Sequence, residues 1–136
     1  MWKKQFEEVS NVILDKGYKI LVYTDAEDQV DFEAKTVHVN SRNHPQTKFY
    51  TLLHELGHII IAESAEDFLE NHPMYVHASG CRGRSSAAYR VSLIAEEIEA
   101  WKIGRQYARS KKLYIDDDKY DKHMTESVMT YIEWTY

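Results

Sequence analysis

The chain has 136 residues, 43% of them hydrophobic and 29% charged, and carries a net charge of −5. That length suits one domain with a single core, expected to span residues 1–136. The acidic balance speaks against sequence-independent binding to nucleic acid, and no run of eighteen apolar residues is present to cross a membrane.

The opening run, Met1 to Glu8, has two lysines but no apolar segment behind them, so it does not read as a signal peptide. Cys81 is the one cysteine, which excludes an internal disulfide framework and suits a reducing compartment. A cytoplasmic setting follows, with neither membrane nor nucleic acid expected as a partner.

Trp2, Phe6, Val9 and Ile13 recur at helical spacing, and Gly17 marks a stop. Three strands are expected next: Tyr18 to Thr24, Gln29 to Glu33 and Thr36 to Asn40. Val30 and Phe32 alternate with acids, and Val37 and Val39 alternate with His38 and Asn40, the period of a sheet with one wet face. The links Asp25 to Asp28 and Ala34-Lys35 are short enough for hairpins. Asn43, ahead of Pro45 and Gln46, reads as the start of a helix running to about Ser64. Tyr50, Leu52, Leu53, Leu56, Ile59, Ile60 and Ile61 leave that helix almost no polar face, so it should be central. A short helical piece near Glu66 to Asn71 and a loop over residues 72–86 come next. A long helix is expected from Ser86 to Lys111. A last one, from Asp118 to Trp134, has Met124, Val128 and Ile132 on one side. The order predicts an α+β fold, with a small, mostly antiparallel three-stranded sheet packed on a helical layer.

The central helix contains "TLLHELGHIII", residues 51–61, where His54, Glu55 and His58 interrupt an apolar run. Residues four apart lie on one helix face, about 6 Å apart along the axis. His54 and His58 can therefore aim two imidazoles at one Zn²⁺, while Glu55 reaches the open position where a bound water would sit. Gly57, costly in a helix, implies a close approach by another backbone. The later helix offers "AEEIEAW". Glu97 falls within the stripe of Leu93, Ile94, Ile98 and Trp101, and a buried acid needs a partner such as a metal. Glu96 is the alternative third ligand, presented by a small rotation of the helix.

Together "KTVHVNS", "FYTLLHELGH" and "EIEAW" resemble the ImmA/IrrE-type zinc metallopeptidases, over roughly residues 18 to 108. The resemblance implies a minimal, gluzincin-like zincin fold. It also implies zinc on His54, His58 and Glu97, with Glu55 as general base. The family cleaves a repressor to switch genes on, which implies a protein or peptide substrate such as a transcriptional repressor. Trp101 stands where the family usually has Asn, and Ile103-Gly104 replaces a Phe-Ala pair.

Between the two metal helices, Tyr75, His77 and Tyr89 are candidate oxyanion donors. Cys81 is a candidate fourth ligand that would close the site, and Arg82, Arg84 and Arg90 make the loop basic. The strand Thr36 to Asn40, by analogy with zincins, is expected to align an extended peptide along a sheet edge. The aromatic end "YIEWTY" is expected to pack on the core. The main expectation is a zinc peptidase of restricted specificity. The rivals are a latent zinc module that grips a protein partner and a protease of DNA-bound proteins like the SprT-type zincins.

Overall fold

The computed structural model describes residues 1–64 and 87–135. The elements run α1 (Trp2–Asp15), β1 (Lys19–Tyr23), β2 (Gln29–Asp31), β3 (Thr36–Asn40), α2 (Pro45–Glu63), α3 (Ala87–Ser110) and α4 (Asp117–Thr135). The fold is α+β, with a small sheet beside the helices. No helix among the described residues is long and apolar enough to cross a membrane. The expected helical piece near Glu66 to Asn71 and the loop over 72–86 lie outside the described residues.

The pairing of the sheet departs from the sequence reading. The strand order is β1-β3-β2, with β1 parallel to β3 and β2 antiparallel to it. The sheet is therefore mixed rather than mostly antiparallel. Asp25 to Asp28 is a crossing to the far side of the sheet, not a hairpin. The Ala34-Lys35 link is a hairpin turn, with Lys35 at φ 49° and the Ala34 N–H donating to Asp31 Oδ1 at 3.0 Å. Burial matches the order: Val37 and Val39 of β3 are fully buried, and the most buried strand, not the most apolar one, takes the middle. With a neighbour on each side, β3 has no edge to offer a peptide. Among the described residues the free edge on the β2 side belongs to Gln29–Asp31.

α2 begins with Pro45 at its first turn, where a missing N–H costs nothing. The capping residue is His44, whose Nδ1 accepts the Gln46 N–H at 3.2 Å. Asn43, the expected cap, instead donates to Asp28 Oδ2 at 3.4 Å. Phe49, Leu52, Leu53, Leu56 and Ile59 are fully buried, as a helix without a polar face must be. α1 covers one side with Val9 and Ile13, and the sheet covers another with Val37 and Val39. α3 lies closest of all. A Cβ on Gly57 would run into the Ala100 backbone of α3, and one on Gly104 would meet the Leu53 carbonyl of α2 at 2.5 Å. Two glycines, one from each helix, let the backbones meet, and this closeness brings side chains of α3 to the histidines of α2.

α4 is fastened at its beginning. Asp116 Oδ1 accepts the Lys119 N–H, and Asp117 and Asp118 lie at the positive end of the helix. Asp117 and Asp121 pair with Arg105, while the buried Tyr120 donates to the Trp101 carbonyl. Further along, α4 crosses a cleft of about 570 Å³ bounded by α2, α3 and β2.

Candidate metal centre

His54 and His58 project from successive turns of α2, and Glu97 projects from α3 to meet them. Their donor atoms lie within 4.8 Å of one another. His54 Nε2 and His58 Nε2 stand 3.0 Å apart. Glu97 Oε2 is 2.8 Å from the first and Glu97 Oε1 is 2.9 Å from the second. His54 is 8% exposed and Glu97 is 5% exposed, so all this polarity is gathered where water is scarce.

The outer ends of both imidazoles are held as well. His54 Nδ1 faces Glu55 Oε1 at 3.2 Å, and His58 Nδ1 faces Glu96 Oε2 at 3.4 Å. A carboxylate at each Nδ1 holds a proton on that nitrogen, so that Nε2 is the nitrogen each imidazole would offer to a metal. Glu96 and Glu97, the two alternatives for a third ligand, thus sit at opposite ends of the same imidazole. Glu97 is at the inner, converging end and Glu96 at the outer one.

The charges are mutually dependent. Burial works against a charge on His54, yet Glu55 and Glu97 outweigh it and raise its pKa. For His58 burial is again overcome, by Glu96 and Glu97, and its pKa is pushed up to about 10. Burial would raise Glu97, but the adjoining His54 and His58 imidazoles hold it far below the usual carboxylate range. The cluster stays ionised only because its members neutralise each other.

One atom is left over. Glu97 Oε2 is buried and receives no aligned hydrogen bond, although His54 Nε2 lies close to it. A buried carboxylate oxygen without a donor is costly, and a cation would satisfy it. Two imidazole nitrogens and a carboxylate turned toward one point fit a metal ion well, and the ion would take the place of the Nε2 protons.

The walls around this cluster come from several elements. Trp101 stacks on His54, with ring centroids 4.4 Å apart and planes 10° from parallel. This residue departs from the Asn usual in the ImmA/IrrE pattern, and its indole fixes the imidazole from the side. Glu55, 2% exposed, lines the cleft beside His54. From α4, His123, Ser127 and Tyr131 face the same cleft. Burial lowers the pKa of His123, and burial with the nearby charge of Glu97 raises that of Tyr131. The Tyr131 hydroxyl donates to Glu97 Oε1 at 3.0 Å.

Tyr131 therefore corrects one expectation: it serves the cleft rather than the core. A signal for it exists in the sequence, since His123, Ser127 and Tyr131 recur every four residues as a polar stripe next to the apolar one. Of the other expected contributors, Tyr75, His77, Cys81, Arg82 and Arg84 lie outside the described residues. Tyr89 falls in the first turn of α3, where the backbone alone is described.

Residues 14–78 match the family model described as the IrrE N-terminal-like domain, Peptidase_M78. The likeness to ImmA/IrrE-type metallopeptidases is thus found over the end of α1, the sheet and α2. With the His54–His58–Glu97 cluster it marks a metallopeptidase-like domain. Glu97 and Tyr131 lie beyond the matched segment. No curated protein and no solved structure is matched by the chain.

Proposed function

We propose that this chain is a zinc-dependent peptidase acting on a specific protein substrate. The observation that carries this reading is the convergence of His54 Nε2, His58 Nε2 and the Glu97 carboxylate beside Glu55. His54, His58 and Glu97 would hold the ion, which when bound acidifies a water and polarises a peptide carbonyl.

The remaining work falls to the chain. Glu55 takes the proton of the attacking water on its carboxylate and passes it to the leaving amine. Its place beside His54 keeps it fixed, because Nδ1 of that histidine holds Oε1. Trp101 and Glu96 restrain the two imidazoles. The free edge of β2 runs along the cleft, and an extended peptide can add to it through main-chain hydrogen bonds. A regulatory protein such as a transcriptional repressor, which the family resemblance implies, is the proposed substrate class. A cytoplasmic site of action belongs to the same proposal.

The test is Glu55→Gln. The variant should keep its zinc, as read by elemental analysis, while cleavage of a peptide library read by mass spectrometry falls by about 10²–10⁴. Cleavage at the wild-type rate would remove Glu55 from the mechanism.

A further inference from the structure

The two oxygens of Glu97 are not equivalent, and the difference is made by α4. Oε1 accepts the Tyr131 hydroxyl at 3.0 Å and lies 2.9 Å from His58 Nε2. Oε2 is buried, lies 2.8 Å from His54 Nε2 and has no hydroxyl partner among the described residues, so the Tyr131 hydrogen bond is what sets the two oxygens apart. A hydrogen bond draws on the lone pairs of the oxygen that accepts it and fixes the plane of the carboxylate. The oxygen without one is the better electron-pair donor. A carboxylate can meet a metal through one oxygen or through both, and the second mode fills a position that catalysis needs for water.

We propose that Tyr131 is a positioning residue for Glu97, reserving Oε1 for its own hydroxyl so that the metal is met through Oε2 alone. The inference rests on the metal-site reading above. Tyr131 reaches the site from a helix outside both metal-bearing ones, and the anchoring of α4 by Tyr120 and Arg105 delivers it there. The hydroxyl therefore acts on the coordination number of the site without being a ligand.

Cobalt(II) is the probe, because its visible absorption weakens as coordination rises from four to five or six. Wild-type protein and Tyr131→Phe are each loaded with Co²⁺, titrated against a competing chelator, and then given azide as a small ligand for the open position. The wild type should show intense four-coordinate bands that azide shifts. Tyr131→Phe, which keeps the ring at a partly exposed site and so keeps the fold, should show weaker bands and a lost azide response. Its Co²⁺ affinity should equal or exceed that of the wild type, since a second oxygen now binds. Unchanged bands and azide response in the variant would overturn the proposal while leaving the metal site intact. So would a loss of about 10–100-fold in affinity with unchanged bands, the mark of an ordinary anchor. A wild-type protein that takes up no Co²⁺ would instead overturn the metal-site reading, and this proposal with it.

Discussion

The two walls of the cleft are built differently. The wall made by α2 and α3 is buried and tight: Gly57 meets the Ala100 backbone, Gly104 meets the Leu53 carbonyl, and His54 is clamped under Trp101. The wall made by α4 is partly exposed and polar, with His123, Ser127 and Tyr131 facing the cavity. Its helix is fastened mainly at the other end, through Tyr120 and the Arg105 pairs. A metal site needs donors held to within a fraction of an ångström, which packed backbone provides. A wall that only shapes the open side can be looser. The difference teaches that this molecule puts rigidity where the candidate donors converge and leaves polarity along the open side of the cleft.

Breaking the tight wall should therefore have the larger consequences. Glu97→Ala removes the one α3 side chain that, among the described residues, reaches both Nε2 atoms. Metal affinity should fall by more than the roughly 10–100-fold expected for Glu96→Gln, which touches only the outer Nδ1 of His58. Chelator competition on the two variants measures the contrast, and the reverse ranking would make Glu96 the ligand. Next comes Gly57→Ala. In an ordinary helix interior this change would stabilise by about 1 kcal/mol. Here the added methyl forces α2 and α3 apart, and a net loss of about 1–3 kcal/mol is expected, read from the urea midpoint. A stabilised variant would show that the helices do not meet at this point. Smallest is Asp121→Asn, which weakens a half-exposed pair with Arg105 at the base of α4. The expected loss is about 0–1 kcal/mol, measured by the same unfolding curve. A larger loss would mean that the α4 wall is as firmly built as the other.

Some of this was legible before any coordinates. α1 and α2 announce themselves by apolar spacing, because a helix repeats every 3.6 residues whatever surrounds it. His54 and His58 share a face for the same local reason. Even the close approach at Gly57 could be inferred, since glycine in a buried helix calls for an explanation. Glu97 was read from its place in the stripe of Ile94 and Trp101, though periodicity left Glu96 open.

Other features were not legible, and each for a reason of range. Hydrophobic alternation identifies β2 and β3, as an apolar run does β1, but neither carries information on neighbours, so the crossing between β1 and β2 reads as a hairpin. His44 took the cap from Asn43 because Pro45 sets the first turn one residue later. The tyrosine at 131 reads as one more core aromatic: the stripe it shares with His123 and Ser127 marks a polar face of α4 but not the cavity which that face meets.

What the sequence by itself determined is the pair of histidines with their intervening acid, because one helix turn is a short-range geometry. It also determined the burial of the helix that carries them. Only the tertiary structure decided the rest: which acid of α3 meets the inner nitrogens, which edge strand borders the cleft, and which hydroxyl touches Glu97. Those contacts join residues from different elements, and their distances depend on how the whole core packs.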